Sequence, residues 1–350
     1  MEETYDVIVV GGGQSGLAVG YHLRKTDLKY LILDRETLSG GSWQHYWQSL
    51  RLFSPASFSS LPGTLMLGGA DYYPSRDETL EYLRMYEKKY KLNVQRSVTV
   101  EAVARERNLY RLVTNQGTFW SKTVVSATGS FAKPFIPEIS GMENFEGEIL
   151  HSAAYQKPAP FKDKQVVIVG EGNSGAQILA EVSQYARTTW LTAKAPSFLP
   201  DEVDGRVLFD RASALYEAKK QGKNFQPPSL GDIVMVPSVK EARARGALKA
   251  KPAIAHFEKN GVVLKNGEFV AAEMVIFCTG FRPALDHLKP LNILEKDGRV
   301  HTENTKAEKI AGLWLVGYGS WTGFASATLI GVGRSARQTV EEIRQYVSSR

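Results

Sequence analysis

Residues 5–34, YDVIVVGGGQSGLAVGYHLRKTDLKYLILD, decide the fold of this chain. The apolar run from Val7 to Val10 is short, β-branched and closed by glycine, which is typical of a central parallel strand buried on both faces. Three apolar residues then recur at helical spacing: Leu17, Val19 and Leu23. Tyr30 to Leu33 indicates a second strand. The stretch therefore predicts strand, glycine turn, helix and strand, the beginning of a βαβ unit that binds a dinucleotide.

The glycines of this turn have the spacing G-x-G-x-x-G. Gly11 makes the tight turn, Gly13 lets a pyrophosphate approach the backbone, and Gly16 lets the helix pack on the sheet. Backbone N–H groups at the helix start favour the diphosphate. Asp34 lies 23 residues after Gly11, where a carboxylate accepts hydrogen bonds from ribose hydroxyls. The predicted cofactor-binding residues here are Gly11, Gly13, Gln14, Ser15, Gly16, Asp34 and Arg35.

A second stretch, residues 164–194, KQVVIVGEGNSGAQILAEVSQYARTTWLTAK, has the same pattern. By count, the position matching Asp34 falls near Lys194, 24 residues after Gly170. A lysine attracts a 2′-phosphate that a carboxylate repels, so we expect NADPH here, with NADH as the alternative. The predicted binding residues are Gly170, Gly172, Asn173, Ser174, Gly175, Thr192 and Lys194.

The two stretches predict an α/β fold with two Rossmann-like dinucleotide-binding domains, the second inserted into the first. We expect residues 1–160 and 280–350 to form a discontinuous FAD-binding domain. Residues 161–279 are expected to form an NAD(P)H-binding domain with an irregular insertion at about 196–252, which contains a possible helix from Ala212 to Lys220. The linker is the proline-rich stretch Gln156 to Phe161.

Several shorter elements complete this prediction. We expect an amphipathic helix from Thr79 to Tyr90, and a three-stranded meander follows it at 98–103, 110–114 and 118–125. A hairpin turning at Asn266 and Gly267 precedes a buried strand from Met274 to Cys278. Near the end of the chain, we expect a strand from Leu313 to Val316 and a final helix from about Ala325.

Composition narrows the function classes. The 350 residues include 43 basic and 37 acidic side chains, a net charge of +6 that suits small anions, and no nucleic-acid module accompanies it. The start of the chain has no signal-peptide pattern and no run approaches a membrane span, so we expect a cytoplasmic protein without membrane or metal partners. Cys278 is the only cysteine, which excludes a disulfide or a redox dithiol within one chain and favours a core role.

Two nucleotide sites in one chain suggest a bound FAD that receives hydride from a nicotinamide coenzyme. A reduced flavin passes its electrons to a disulfide, to oxygen, or to a quinone or other small acceptor. Because a cysteine pair is missing, the sequence leaves oxygen, a quinone or a small acceptor.

At this point the residues resemble the flavin-containing monooxygenases and the related Baeyer–Villiger enzymes, specifically the short bacterial flavoproteins. Residues 145–155, FEGEILHSAAY, resemble the signature F-x-G-x-x-x-H-x-x-x-(F/Y). Residues 40–43 (GGSW) resemble the G-G-x-W segment beside the flavin, residues 127–129 the A-T-G motif, and residues 279–283 (TGFRP) the T-G-F-x-P crossing. The resemblance covers nearly the whole chain apart from residues 196–252.

The resemblance implies roles for further residues. Trp43 would lie along the isoalloxazine ring, next to Gly41. His151 would position NADPH or the domains, with general-base catalysis as the alternative. The glycines at 317 and 319, with the helix predicted from Ala325, would direct N–H groups at the flavin pyrimidine. The remaining cofactor-binding residues on this basis are Ala127, Gly129, Thr279, Gly280, Gly317 and Gly319.

One departure concerns the oxygen chemistry. Family members commonly have L-R-T-N-x-P after G-G-x-W, whereas this chain has LRLFSP at 50–55, which places Phe53 where the asparagine would be. Phenylalanine cannot hydrogen-bond to an oxygenated flavin or to the nicotinamide amide. Phe53 and His151 are therefore the two residues expected to influence catalysis. We expect a short-lived C4a-peroxyflavin that releases hydrogen peroxide.

The resulting prediction is an FAD-dependent NAD(P)H monooxygenase, weakly coupled, that oxygenates thioethers, amines or ketones with molecular oxygen. The alternative is an NAD(P)H-dependent flavin reductase or oxidase without oxygen insertion, and a third interpretation is a nucleotide sensor without turnover. Because the homodimer is the commonest assembly of soluble proteins, a homodimer is the assembly we consider for this chain.

Overall fold

A computed structural model describes residues 3–203, 232–323 and 325–350 of the chain. It divides the chain into two compact units. The first contains Met1–Gln44, Pro55–Lys133 and Arg282–Arg350, and the second contains His45–Ser54 and Pro134–Phe281. Each unit has its own sheet with a core of parallel strands, and in each a glycine turn leads from a parallel strand into a helix. The predicted α/β fold with two Rossmann-like domains is therefore confirmed.

The first unit begins with the predicted βαβ elements: β1 (Thr4–Val10), α1 (Gln14–Leu23) and β2 (Tyr30–Leu33). The two strands are parallel, with Val10 opposite Leu33. The apolar residues of β1 and the buried face of α1 account for the hydrophobic pattern, since Val7, Leu17 and Leu23 are each 0% exposed.

The sheet of the first unit has the strand order β15-β16-β17-β6-β1-β2-β3, with β4 and β5 attached through β6. These strands are β3 (Val94–Gln95), β4 (Val100–Glu106), β5 (Leu109–Thr114), β6 (Gly117–Ser126), β15 (Thr302–Glu303), β16 (Lys306–Ala307) and β17 (Leu313–Leu315). The predicted meander is confirmed, and its third strand also continues into the central sheet, where β6 runs parallel to β1 and β17.

The predicted helix at Thr79–Tyr90 is confirmed as α2 (Arg76–Tyr90) and begins three residues earlier. Ser75 accepts a hydrogen bond from the amide of Glu78, while the Glu78 carboxylate accepts one from the amide of Ser75. This reciprocal capping box satisfies two backbone donors at the helix start, those of Ser75 and Glu78, and fixes where the helix begins.

The final helix begins later than predicted. It is α5 (Val332–Ser348), so the expected start near Ala325 is wrong. Ala325 has a φ of 54°, a left-handed conformation that a right-handed helix cannot include. The chain turns between residues 325 and 331 instead, and no α-helix begins at Ala325 or in the turn that follows it.

The second unit contains a parallel sheet in the order β10-β9-β8-β14-β7. Its strands are β7 (Glu148–His151), β8 (Gln165–Val169), β9 (Arg187–Thr192), β10 (Ala250–Pro252) and β14 (Met274–Phe277). Helix α3 (Asn173–Val182) follows β8 and packs with α4 (Pro237–Ala244). The predicted hairpin is confirmed within a separate antiparallel sheet: β11 (Ile254–Glu258), β12 (Gly261–Leu264) and β13 (Phe269–Ala271).

The unit boundaries differ from the expected residues 160 and 280. Residues 134–160 belong to the second unit because β7 pairs with β14 throughout its length, from Glu148 opposite Met274 to His151 opposite Phe277. Residues 45–54 also belong to this unit.

The expected irregular insertion at 196–252 contains regular structure in its described part, namely α4 and β10. The possible helix from Ala212 to Lys220 lies outside the described residues. None of the described helices is long and apolar enough to cross a membrane.

Candidate functional site

The first glycine turn admits no side chain at two of its glycines. Gly11 has a φ of 108°, and a Cβ atom there would lie 2.6 Å from the carbonyl oxygen of Ala127. A Cβ atom on Gly16 would lie 1.9 Å from the carbonyl oxygen of Gly11. These contacts hold α1 close to the end of β1, which is the packing that the G-x-G-x-x-G spacing predicts.

Gly13 differs from these two because the space around it is open. The nearest atom to a Cβ built there is the Cα atom of Gly41, at 3.8 Å. Gly13 is also the N-cap of α1; no described side chain caps this end, and its first turn contains no acidic residue. By contrast, the start of helix α2 is capped by the side chains of Ser75 and Glu78. The start of α1 therefore keeps donors and positive potential for an anion such as a diphosphate.

The side chain of Gln14 links the turn to Trp43. Its Oε1 atom accepts a hydrogen bond from the Trp43 indole at 2.9 Å, and its Nε2 atom donates to the carbonyl oxygen of Ala327 at 2.6 Å. Because both ends of the amide are engaged, the indole is held in a defined orientation beside the glycine turn. Gly41, with a φ of 54°, packs directly on Gly13, where a Cβ atom would lie 2.6 Å from the Gly13 Cα atom.

Ser15 lies against Gly317. A Cβ atom on Gly317 would be 2.0 Å from the Ser15 hydroxyl oxygen, so glycine is required at this position. The predicted residues Gln14, Ser15, Gly41, Trp43 and Gly317 thus gather around the start of α1. Gly319 has a φ of 88° and open space around it, and its carbonyl oxygen accepts a hydrogen bond from Ser326.

The A-T-G segment is fixed by a hydrogen-bond network that sequence reasoning missed. The Tyr318 hydroxyl lies 2.7 Å from the Thr128 hydroxyl and 2.6 Å from that of Ser126, and it accepts from the Thr128 amide at 3.1 Å. Ala127 donates its amide to Val10, and the carbonyl oxygen of Gly129 accepts from Ala284. A tyrosine between two strand-end glycines, 317 and 319, is the only sequence signal for this network.

Asp34 lies at the end of β2 with its side chain 5% exposed. Burial raises the pKa of this carboxyl group, and the guanidinium of Arg96 and the amides of Gly12 and Glu36 act in the opposite direction. Arg96 forms ion pairs with both Asp34 and Glu87. Sequence reasoning missed Arg96, although a charged residue directly after β3, the neighbour of β2, is a usable signal. Arg35 is half-exposed and pairs with Glu36 at 3.1 Å.

The second glycine turn repeats the geometry of the first. Gly170 has a φ of 133°, with a Cβ position 2.4 Å from the Cys278 carbonyl oxygen, and a Cβ atom on Gly175 would lie 2.4 Å from the Gly170 carbonyl oxygen. Gly172 is the N-cap of α3, without an acidic residue in the first turn or a side-chain cap among the described residues, and nothing lies within 4 Å of its Cβ position. Ser174 lies in that first turn. The second glycine turn therefore also fits a diphosphate.

Strand register corrects the position that matches Asp34. Val10 lies opposite Leu33 in the first unit, and Val169 lies opposite Leu191 in the second. Asp34 therefore corresponds to Thr192, which is 6% exposed, and the expectation that Lys194 occupies this position is wrong. The connection from the first glycine to the strand end is 23 residues in the first unit and 22 in the second, whereas Lys194 lies 24 residues after Gly170, so the count overshot the strand end by two residues. Lys194 is exposed and lies two residues further on.

Asn173 holds a neighbouring segment with its side chain. Its Oδ1 atom accepts from the Val234 amide at 2.8 Å, and its Nδ2 atom donates to the Asp232 carbonyl oxygen at 3.3 Å. The described end of the expected insertion therefore lies beside the second glycine turn.

His151 is buried at the end of β7 with both ring nitrogens engaged. Nδ1 accepts a hydrogen bond from the Ala153 amide at 3.1 Å, which makes Nε2 the protonated nitrogen, and Nε2 donates to the Gly280 carbonyl oxygen at 2.9 Å. Burial lowers the pKa of His151, and the Gly280 carbonyl opposes that shift. A neutral imidazole with no spare lone pair suits a positioning role better than proton abstraction.

Other residues of the two motifs around His151 also have structural partners in the second unit. Phe145 packs on Phe257 with ring centroids 5.3 Å apart, and a Cβ atom on Gly147 would lie 2.5 Å from the Glu273 carbonyl oxygen. The hydroxyl of Thr279 donates to the Phe135 carbonyl oxygen. Gly280 has a φ of 80°, and its carbonyl oxygen also accepts from the Phe135 amide.

Phe53 lies, partly buried, in the segment His45–Ser54 of the second unit. The Gln48 amide donates to the Gln156 carbonyl oxygen at 3.0 Å, and the Gln156 side chain donates to the His45 carbonyl oxygen at 3.0 Å. These bonds fix the segment that carries Phe53.

Cys278 is buried, and burial raises the pKa of its thiol to about 12. A thiol that stays protonated at neutral pH is a poor nucleophile, as a core role predicts. Among the described residues, no group of three or more His, Cys, Asp or Glu side chains is arranged to hold a metal ion.

Comparisons with known proteins agree with this geometry. Residues 8–317 match the family described as pyridine nucleotide-disulphide oxidoreductase. The flavin-containing monooxygenase from Stenotrophomonas maltophilia is 48% identical, with a TM-score of 0.91 over 99% of this chain and 100% of that chain.

Curated sequences extend the similarity. The uncharacterized oxidoreductase CzcO of Bacillus subtilis (strain 168) is 31% identical over 97% of this chain and 99% of that protein. The probable indole-3-pyruvate monooxygenase YUCCA3 of Arabidopsis thaliana is 26% identical over 89% and 81%. The resemblance inferred from the motifs is confirmed: the chain is an oxidoreductase that belongs to the pyridine nucleotide-disulphide oxidoreductase family, among its flavin monooxygenases.

Proposed function

We propose that the protein is an FAD-dependent NAD(P)H monooxygenase that transfers one oxygen atom to a small organic substrate. The observation that carries the proposal is the pair of matched glycine turns, each opening a helix that no described side chain caps. A dinucleotide diphosphate supplies the missing anion at such a helix start. The 48% identity to a flavin-containing monooxygenase supports a flavin as one of the two ligands.

The first unit is the proposed FAD site. Gly11, Gly13 and Gly16 would bind the diphosphate through the backbone of the turn, and Asp34 would accept hydrogen bonds from the ribose. The fixed indole of Trp43 offers an apolar face for an aromatic ring system. These residues fit an adenine dinucleotide with a large planar group.

The second unit is the proposed NAD(P)H site. Gly170, Gly172 and Gly175 would bind the diphosphate at the start of α3. His151, held by Ala153 and Gly280, keeps β7 and the segment after β14 in register, which is the proposed basis of its positioning role. Asn173 anchors residues 232–234 beside the turn.

The cofactors would supply the chemistry: a bound FAD would take hydride from NAD(P)H, and the reduced flavin would react with molecular oxygen. The residues described above bind and orient the partners, and none is placed to attack a substrate covalently. Thioethers, amines and ketones are the proposed substrates. We propose weak coupling, with hydrogen peroxide as a side product, because the phenyl side chain of Phe53 carries no hydrogen-bonding group.

The second candidate is an NAD(P)H-dependent flavin reductase or oxidase. Phe53 favours it, for the same reason that it weakens coupling. The buried thiol of Cys278, the only cysteine, gives no route through an internal dithiol. Oxygen or a quinone would then be the acceptor.

The two candidates are separated by mixing the purified flavin-loaded protein with NADPH or NADH and a methyl aryl sulfide in air. We expect sulfoxide to form together with peroxide, and the yield of each per nicotinamide oxidised measures the coupling. Nicotinamide oxidation without sulfoxide or any other oxygenated product would favour the oxidase. A protein that neither binds flavin nor oxidises nicotinamide would contradict both.

A further inference from the structure

The second glycine turn carries a carboxylate that the first turn does not. Gly12 and Glu171 occupy the same place, since each follows the first glycine of its G-x-G-x-x-G motif. The two turns superpose in hydrogen bonding as well: Gly11 donates to the Leu33 carbonyl oxygen at 2.8 Å, and Gly170 donates to the Leu191 carbonyl oxygen at 2.9 Å. Gly12 and Glu171 are therefore structurally equivalent positions.

The direction of the side chain at this position is known from the first unit. A Cβ atom built on Gly12 would lie 2.7 Å from Oδ2 of Asp34. Any side chain here therefore points at the ribose-binding end of the second strand, and a residue other than glycine would displace the Asp34 carboxylate.

In the second unit the acid comes from the turn. Thr192 replaces Asp34 at the strand end, and the Oε2 atom of Glu171 accepts a hydrogen bond from the Ala193 amide at 3.3 Å. Ala193 directly follows Thr192, so the Glu171 carboxylate lies at the end of β9. A carboxylate is thus present at this strand end in both units, although it comes from different residues.

We propose that Glu171 selects the nicotinamide coenzyme by accepting hydrogen bonds from the adenosine ribose hydroxyls of NADH and by repelling the 2′-phosphate of NADPH. This inference rests on the proposed binding of a nicotinamide dinucleotide to the second unit. Lys194, which attracts the 2′-phosphate, lies two residues beyond the strand end and is exposed, so solvent screens it more than the half-buried Glu171. The coenzyme preferred by the unmodified protein is therefore NADH.

The test uses the substitution Glu171→Gln, which keeps a hydrogen-bond acceptor for the Ala193 amide and removes the charge. Binding of ADP-ribose and of 2′-phospho-ADP-ribose to the flavin-loaded full-length protein is measured by calorimetry. The unmodified protein should bind ADP-ribose more tightly, and Glu171→Gln should move the ratio of the two dissociation constants toward the phosphorylated ligand by roughly tenfold.

The matched control is Glu146→Gln. Glu146 lies in the same unit just before β7, at the opposite end of the parallel strands from the glycine turn, which follows the end of β8. It pairs with Lys259 in an exposed ion pair. The ratio of the two dissociation constants in Glu146→Gln should equal that of the unmodified protein. Preference of the unmodified protein for the phosphorylated ligand, or an unchanged ratio in Glu171→Gln, would overturn the inference.

The binding measurement is independent of oxygen transfer. A protein that makes no sulfoxide and yet shows the shifted ratio keeps the Glu171 inference and loses the proposed monooxygenase activity. A protein that makes sulfoxide with an unshifted ratio keeps the activity and loses the inference.

Discussion

Arg96 forms an ion pair with Asp34, the buried carboxylate that ends the second strand of the first unit, and it pairs with Glu87 at the same time. The side chain of Arg96 is 18% exposed, that of Asp34 is 5% exposed and that of Glu87 is 20% exposed, so water solvates these three charges only in part. The pair connects the proposed ribose-binding residue to helix α2, and this connection has a measurable cost when it is broken.

Replacing Arg96 by Ala should destabilise the protein and weaken flavin binding. Loss of one partner of a buried ion pair leaves an uncompensated charge, which costs about 3 kcal/mol in the free energy of unfolding. Without the guanidinium, the pKa of Asp34 rises further, so the ionised form that accepts ribose hydrogen bonds becomes less populated. Urea unfolding and the amount of flavin retained after dialysis measure the two effects.

The control for this prediction is Arg35→Ala. Arg35 pairs with Glu36 at the surface, with its side chain 48% exposed, so its loss should change stability by less than about 1 kcal/mol. Equal stability losses in the two variants would contradict a special role for Arg96.

Two glycines of the second turn should respond differently to the same substitution. Gly170→Ala places a Cβ atom 2.4 Å from the Cys278 carbonyl oxygen at a φ of 133°, so we expect poor folding. A Cβ atom on Gly172 would have no atom within 4 Å, and the φ of this residue is −97°, so we expect normal thermal unfolding of Gly172→Ala. Because the new methyl group would occupy the space of the diphosphate, we expect about tenfold weaker binding of the nicotinamide coenzyme. Normal coenzyme affinity in Gly172→Ala would contradict the assignment of this turn to the diphosphate.

Cys278→Ala should keep its rate of nicotinamide oxidation. Burial raises the pKa of the thiol to about 12, so the thiolate is scarce at neutral pH and a redox role is not expected. The lost packing should cost about 1 kcal/mol in unfolding free energy. Rates with NADH and NADPH, before and after treatment with a maleimide, provide the measurement; inactivation of the unmodified protein by maleimide, prevented in the variant, would revive a thiol mechanism.

Phe53→Asn should increase coupling if the proposed monooxygenase activity is right. An amide at this position can hydrogen-bond where phenylalanine cannot, so we expect roughly twofold more sulfoxide per nicotinamide oxidised and less peroxide. Phe53→Leu is the control, because it shortens the side chain and adds no hydrogen bond. A similar gain in both variants would show that side-chain size, rather than hydrogen bonding, controls the yield.

His287 should make stability depend on pH. Its ring is 5% exposed, with Nε2 at 3.1 Å from the Ser126 hydroxyl, and burial lowers its pKa from 6.5 to about 4. The unfolded chain therefore binds a proton that the folded one rejects between these values. Stability is complete above pH 6.5 and falls as the pH is lowered toward 4, with a loss of about 3 kcal/mol from this residue.

The variant His287→Gln tests this dependence. Its urea-unfolding free energy should fall less steeply between pH 6.5 and 4 than that of the unmodified protein. His301→Gln, at a histidine whose side chain is 62% exposed, should keep the original slope. Identical slopes in all three proteins would rule out His287 as the source.

The sequence predicts the strand, turn and helix of each unit because glycine spacing and apolar periodicity are local signals. The start of α2 was missed by three residues because its cap depends on a reciprocal pair, Ser75 and Glu78. The start of α5 was missed by seven because Ala325 adopts a left-handed conformation that its residue type does not indicate.

Site residues that depend on register or on distant partners were harder to predict. Counting along the chain matched Asp34 to Lys194, whereas strand pairing matches it to Thr192. The tautomer of His151 depends on Ala153 and Gly280, and the second of these is far away in sequence. Arg96 and Tyr318 became visible only when the strands that precede them were placed in one sheet.

The assignment of residues 45–54 to the second unit limits how this enzyme can be dissected. The chain passes through that unit early, leaves it at Pro55 and returns at Pro134, so a gene fragment encoding 134–281 would lack the partner of the Gln156 backbone. Modular exchange of coenzyme specificity by grafting one contiguous cassette is therefore ruled out by connectivity, and point substitutions within the intact chain are the practical route.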